Sequence, residues 1–427
     1  MTGLAGKKVL VVGMEKSGLA TVAFLRARGA NVTATDVKPH QVEGAPFVLQ
    51  DTAPFLSSDL VVTSPGVPND IEPLASARAK GIPVVGEVEL AAPYLLGKTI
   101  GITGSNGKTT TTAMVGHILE SAGIPVQVGG NIGTPVTALV ATSRHAQWNV
   151  LELSSFQLET IRTFRANIGA CLNVTQNHLD RHHTFEAYAQ SKSNLFRTQT
   201  EQDYAVLNQN DPVCRSFAGL SRSVKVWFGD SFLRDGVIFV GEEPLMPAAQ
   251  VPIRGLHNVE NVMAAANAAR LAGVDLAGIA AAIRTFSAVE HRLEFVRALG
   301  GVAYYNDSKA TSVDATVKAL ESFDGRLWVI LGGKDKGSDY TVLEPLLKQK
   351  AQGVLLIGAA APLIEAQLKI PTTAAGNLEN ALRIAYAAAH PGDTVLLAPA
   401  CASFDQFQSY EHRGRVFKQL VHALEEK

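Results

Sequence analysis

Residues 99–117, which read Thr-Ile-Gly-Ile-Thr-Gly-Ser-Asn-Gly-Lys-Thr-Thr-Thr-Thr-Ala-Met-Val-Gly-His, constrain this chain more than any other stretch. A short β-branched run enters a turn with glycines at 104 and 107, and the pair Lys108-Thr109 then opens a helix-compatible segment. That layout makes a phosphate cradle. Backbone N–H groups at a helix start, a lysine point charge and a metal-binding hydroxyl converge there on one anion. Nucleotide binding is predicted for Gly104, Asn106, Gly107, Lys108, Thr109 and Thr110. The strict G-x-x-x-x-G-K-[ST] pattern would place its first glycine at Ile102, so the loop is a variant.

At 427 residues the chain exceeds one core, and three domains are expected over residues 1–90, 91–289 and 290–427. Lys+Arg of 38 against Asp+Glu of 39 leaves a net charge of −1, which supplies no global field to attract nucleic acid. An anionic ligand must be held locally. Cys171, Cys214 and Cys401 are odd in number, far apart and without C-x-x-C spacing, which points away from a disulfide framework or zinc site and towards a reducing cytoplasm. The apolar run Val9–Val12 is strand-length and ends at Gly13, so no signal peptide is expected. No stretch has the length and apolarity to insert in a membrane.

The first segment opens as β-α-β: a strand over Lys7–Val12, a turn over Gly13–Gly18, a helix over Leu19–Arg28 and a strand from Asn31 that ends at Asp36. A dinucleotide fingerprint would need glycine where Glu15 stands, because a carboxylate there repels a pyrophosphate; NAD is therefore disfavoured. A different nucleotide contacted by Ser17, Asp36 and Lys38 fits better. Asp59–Gly66 is a further strand whose Ser-Pro-Gly end is either a ligand edge or a plain turn.

In the second segment, Val126–Val128 leads into the glycine-rich Gly129–Gly133, and Trp148–Glu152 is an apolar strand ending in a carboxylate. A buried acid needs a partner, and beside a Lys-Thr phosphate loop Glu152 is a natural direct or water-mediated ligand for Mg²⁺, the alternative being a strand-end salt bridge. Strand Ile168–Val174 runs into His178, Asp180, Arg181 and His182, a cluster that fits either a catalytic or metal site or a hydrogen-bonded surface. Lys192 lies in a helix over Phe185–Phe196 whose composition alone would expose it. Asn258 and Asn261 share one face of an alanine-rich helix, where they either read a purine edge or serve its capping. A few antiparallel strands are expected over Val224–Gly241.

The third segment alternates strands with helices, as in a parallel sheet covered on both faces. Its strands Gly301–Tyr305, Leu327–Leu331, Val354–Ile357 and Thr394–Leu397 end in polar loops. Lys309, Thr311, Lys336 and Ser403 gather at those ends, and their number suits a dicarboxylate.

Taken together, Thr103–Thr109, Gly129–Gly133, Leu151–Glu159, Asn173–Arg181, His257-Asn258, Asn306–Thr311 and Pro399–Phe407 resemble the Mur ligase family, in order and over nearly the whole chain. The stretches Glu-Leu-Ser-Ser-Phe-Gln-Leu-Glu, Asn-Asp-Ser-Lys-Ala-Thr and Ala-Cys-Ala-Ser-Phe-Asp-Gln-Phe resemble the branch that adds D-glutamate to UDP-N-acetylmuramoyl-L-alanine in peptidoglycan synthesis. Another amino-acid-adding member, or a folylpolyglutamate synthase-like ligase, is the alternative. The resemblance implies an α/β fold of three domains, Rossmann-like at both ends around a central P-loop ATPase-like domain. It implies an ATP-dependent acid–amino-acid ligase working through an acyl phosphate and a tetrahedral intermediate, cytoplasmic and monomeric, without nucleic-acid partners.

For the site, the resemblance implies Lys108 on the transferring phosphate and Thr109 with Glu152 on one Mg²⁺. It implies His178 and a carbamylated Lys192 on a second Mg²⁺. Asn258, Asn261, Arg292, Asp307 and Lys309 would hold ATP, and Lys336, Thr311 and Ser403 D-glutamate, with Tyr410 lining that pocket where phenylalanine is frequent. Ser17, Asp36, Lys38, Asn131 and His178 would hold the UDP-sugar.

Overall fold

Consecutive side chains of a strand point to opposite faces, so a strand apolar at every position must be covered on both. β1 (Lys8–Val12) meets that condition from Val9 onward: Val9 and Val11 join one buried cluster with Leu25 and Leu60, while Leu10 and Val12 join another with Phe55 and Leu74. The computed structural model describes residues 3–253, 255–287 and 289–425, and the side chain of Asp180 lies outside what is described. Two compact units result, one of residues 1–250 with 260–284, the other of 251–259 with 285–427.

The first unit holds two parallel sheets. With β2 (Asn31–Asp36), β3 (Phe47–Leu49), β4 (Leu60–Thr63) and β5 (Val84–Gly86), β1 makes a five-stranded sheet in the order β3-β2-β1-β4-β5. The second sheet contains β6 (Lys98–Thr103), β7 (Val126–Gly130), β8 (Trp148–Glu152), β9 (Ile168–Cys171), β10 (Tyr204–Asn208) and β11 (Val224–Phe228), ordered β11-β10-β9-β6-β8-β7. Three short strands, β12 (Leu233–Arg234), β13 (Val237–Val240) and β14 (Glu243–Pro247), form an antiparallel meander.

The second unit is one sheet of β15 (Glu294–Leu299), β16 (Val302–Asn306), β17 (Leu327–Gly332), β18 (Ala351–Ile357), β19 (Thr373–Gly376) and β20 (Thr394–Leu397), ordered β15-β16-β20-β17-β18-β19. Alternation again splits its core: Val329, Leu331 and Leu396 face one apolar layer, and Ile330, Val395 and Leu397 the other.

Three expectations are corrected. Val224–Phe228 pairs in parallel with β10 and belongs to the second sheet; only residues after it form the antiparallel strands. The third sheet carries an antiparallel edge, β15, because Gly300 and Gly301, both at positive φ, fold it back on β16 as a hairpin. The first helix starts at Lys16, not Leu19. Gly13 alone makes the turn, with φ of 89°, and Gly18 lets the first helical turn lie against it, since a Cβ at Gly18 would collide with the Gly13 carbonyl oxygen.

Candidate active site

The phosphate-type loop leaves the C-terminal end of β6, in the middle of its sheet, and becomes the helix Lys108–Ser121 at Gly107. Gly104 and Gly107 have φ of 151° and 83°, a region that penalises a Cβ, so these two glycines permit the turn. Asn173, just past β9, fastens the loop: its carbonyl accepts from Ser105 N at 2.8 Å and its Oδ1 from Asn106 N at 2.8 Å. The sequence alone does not mark Asn173 for this role, because it follows from the pairing of β9 with β6 in the sheet. Thr109 and Thr110 are buried in the first turn of the helix. Asn261 lies against Gly107, where a Cβ would meet its amide, and its Oδ1 accepts from Thr111 Oγ1 at 3.4 Å.

Lys108 Nζ donates to the carbonyls of Gly104 and Ser105, both at 2.9 Å. Lys192 Nζ donates to the same Gly104 carbonyl at 2.8 Å. Lys192 is 1% exposed, so the surface position that its helical neighbours suggest is wrong. The reason is positional: on the helix Phe185–Arg197 it follows Tyr188 by one turn, and both face the loop. Its ammonium lies 4.6 Å from the Tyr188 ring, whose hydroxyl is 2.9 Å from Ser105 Oγ. Burial first, and the Lys108 charge second, pull the Lys192 amine down to about 7.

Glu152 ends β8 in register with Ile102 of β6, which puts its carboxylate beside the loop. Asn131 holds it doubly, by N–H to the Glu152 carbonyl at 2.8 Å and by Nδ2 to Oε1 at 2.7 Å. Oε2 is buried with no hydrogen-bond partner among the described residues. An unsatisfied buried carboxylate oxygen next to a phosphate loop fits a divalent cation, which takes oxygen donors. Among the described residues no cluster of three or more His, Cys, Asp or Glu could hold a metal.

The two histidines after β9 part company. His182 is buried, its Nε2 3.0 Å from Ser155 Oγ and its ring stacked on Phe156. His178 is exposed, at φ of 53°, with its ring edge-on to Phe156 and 6.3 Å from that of Tyr188. Tyr188 therefore neighbours His178, Lys192 and Ser105, a role that no local signal in the sequence marks because it depends on the burial of Lys192.

A cleft of about 600 Å³ in the first unit is lined by Glu15, Ser17, Asp36, Ser64, Gly66, Asn131 and Gln157 among others. Ser64–Gly66 is thus a cleft edge and not merely a turn. Asp36 closes the preceding turn, its Oδ2 accepting from Met14 N at 2.6 Å. Lys38 lies outside this lining, on an exposed loop. Because Asn131 both lines the cleft and holds Glu152, it joins cleft and carboxylate.

In the second unit, Asp307 is buried and accepts from Leu293 N at 3.3 Å; burial pushes its carboxyl up to about 7, against the opposing charge of Arg292. Lys309 Nζ donates to Tyr410 OH at 3.0 Å, a bond that phenylalanine could not make. Thr311 is half-buried, Ser403 is buried and Lys336 is exposed. Arg413, 0% exposed and absent from the predicted set, donates to Ser308 O and Oγ and to Cys401 O, which gathers the strand-end loops. Asn258 sits in this unit as the third residue of the helix Leu256–Leu271, so it does not act as that helix's N-cap.

Models of three domains match the chain in succession: the Mur ligase MurD-like N-terminal domain over residues 7–86, the Mur ligase middle domain over 102–269 and the Mur ligase glutamate ligase domain over 291–401. A protein of Solibacter usitatus named UDP-N-acetylmuramoylalanine–D-glutamate ligase is 60% identical over 99% of both chains. One of the same name from Acidobacterium capsulatum is 50% identical over 98% of this chain and 96% of that one. Among solved structures, the UDP-N-acetylmuramate–alanine ligase of Thermotoga maritima superposes with a TM-score of 0.62 at 18% identity over 98% of this chain and 99% of that one, a likeness of fold. Full-length identity of this degree, with three domain models falling in order on the three large sheets, places this chain in the Mur ligase family.

Proposed function

We propose that this chain is an ATP-dependent ligase that joins D-glutamate to UDP-N-acetylmuramoyl-L-alanine in peptidoglycan precursor synthesis. The observation that carries the reading is the 60% identity, over 99% of both chains, to a relative named for that reaction. The domains at 1–90, 91–289 and 290–427 would take the UDP-sugar, ATP and the amino acid in turn.

A free carboxylate is a poor acyl donor, so ATP first phosphorylates it; that transfer needs positioning and charge neutralisation more than covalent help. The cradle at 104–110 orients the phosphates through its backbone N–H groups, and Lys108 exchanges its loop carbonyls for the transferring phosphoryl oxygens. Ser17, Asp36, Lys38, Asn131 and His178 hold the UDP-sugar. Asn258, Asn261, Arg292, Asp307 and Lys309 hold ATP. Lys336, Thr311, Ser403 and Tyr410 hold D-glutamate, whose amine attacks the acyl phosphate and expels phosphate from a tetrahedral intermediate.

Thr109 and Glu152 would bind one Mg²⁺, and His178 with Lys192 a second. Mg²⁺ bound there supplies neutralisation of phosphate charge. An ammonium cannot ligate a cation. With its amine near 7, Lys192 is unprotonated often enough to add CO₂: nitrogen bonds to the carbon, one proton leaves, and an N-carboxylate remains. A cytoplasmic, monomeric enzyme completes the reading.

Phosphate release with ATP and UDP-N-acetylmuramoyl-L-alanine, measured with L-alanine, D-glutamate, L-lysine and diaminopimelate in turn, tests it. Release with D-glutamate alone is expected; release with a different amino acid overturns the assignment.

A further inference from the structure

Tyr340 belongs to none of the motifs above, yet one oxygen atom on it touches two loops that carry proposed amino-acid contacts. The loop after β17 bends at Gly332, Gly333 and Gly337, with φ of 118°, 138° and 78°. Asp335 fixes its shape. Its Oδ2 accepts from Gly337 N at 2.8 Å and its Oδ1 from Ser338 N at 3.2 Å, so the carboxylate braces the backbone that follows Lys336. The Tyr340 hydroxyl donates to the same Oδ1 at 2.7 Å. Burial alone would raise this carboxyl, but the phenol and the backbone N–H groups hold it below the usual range.

The other loop follows β20. There the Tyr340 oxygen lies 3.0 Å from Cys401 Sγ, two residues before Ser403. Lys334 and Ala402 form an antiparallel bridge, with N···O distances of 2.8 and 3.1 Å, so the two loops run side by side. The phenol itself cannot drift: Tyr340 is 0% exposed, packs in the core with Leu343 and Leu347, and its backbone N–H donates to Gln367 Oε1 at 2.7 Å. A rigid ring thus presents one hydroxyl to both loops.

We propose that Tyr340 is a positioning residue that sets the separation of Lys336 from Ser403 and thereby the length of dicarboxylate the site accepts; this rests on the amino-acid site proposed above. Its hydroxyl touches no substrate. It works through Asp335 on one side and Cys401 on the other.

Tyr340→Phe keeps the ring and removes the hydroxyl, so the core stays filled. The expected result is a KM for D-glutamate raised about tenfold, the fold-change of a weakened carboxylate contact once the two loops are no longer held at their spacing. The KM values for ATP and the UDP-sugar and kcat should stay within about twofold. The preference for D-glutamate over D-aspartate should narrow, while Cys401→Ser, which retains a polar atom for the phenol, keeps it. An unchanged KM for D-glutamate overturns the proposal. So does an equal rise in all three KM values with a lowered Tm, which would make Tyr340 a packing residue only. If the wild-type chain uses another amino acid, the functional reading fails and the selective KM rise is read on that amino acid; if it uses none, both fail.

Discussion

Lys108 and Lys192 donate to one carbonyl oxygen, that of Gly104, at 2.9 and 2.8 Å. Two ammonium groups converging on a single neutral acceptor repel each other, and the buried one yields its proton more readily. In the proposed reaction, one lysine of that pair holds a phosphate and the other is carbamylated.

Turnover should therefore depend on Lys192 as an amine and on dissolved CO₂. Lys192→Ala is expected to lose nearly all activity, and stripping CO₂ from the wild type to lower its rate, with bicarbonate restoring it. Mass spectrometry without acid would detect the carbamate. Full activity in the variant would remove it from the site.

Lys192 also ties stability to pH. Its folded-state amine lies near 7 against an ordinary lysine value of 10.5, so between those values the unfolded chain binds more protons and stability rises with pH. Below about 7 both states are protonated and the contribution is flat. Urea unfolding in CO₂-free buffer at pH 6, 7.5 and 9 should show a rise on the order of a few kcal/mol that Lys192→Met lacks.

Asp307 carries the opposite slope. Its folded carboxyl is raised from 3.8 to about 7 by burial, so across that interval the folded state binds more protons and stability falls as pH rises. Asp307→Asn should flatten the decline and be more stable than wild type at pH 8 while binding ATP more weakly. Paired melts at pH 5 and 8, with ATP titrations, measure both.

Glu152→Gln keeps an oxygen for the Asn131 amide but loses the charge on Oε2. The Mg²⁺ concentration for half-maximal rate should rise about 10- to 100-fold, with stability unchanged or improved. A rate–Mg²⁺ curve identical to wild type would exclude Glu152 as a ligand.

Lys108→Ala should cut kcat by roughly 10³-fold, since a positive charge on a transferring phosphoryl group acts in the transition state. Its KM for D-glutamate should barely move. Single-turnover formation of ADP would locate the defect before amide formation.

Much of this molecule is written in local pattern. Apolar strand runs broken by glycine turns marked the β-α-β opening of the first segment and the parallel strands of the third, and Gly104 and Gly107 marked the turn between β6 and its helix, because backbone geometry is a property of adjacent residues; the parallel pairing of β11 and the antiparallel edge β15 were not legible there. Family resemblance supplied the reaction.

What the sequence could not say on its own is which polar residues would lose contact with water. Lys192 and Asp307 look ordinary in their segments, and their shifted protonation comes from burial, joined for Lys192 by the charge of Lys108, a residue distant in the chain. Asn131 meets Glu152 across 21 positions, and Tyr340 meets Cys401 across 61. Desolvation and charge depend on distance in space, and only the tertiary fold sets those distances.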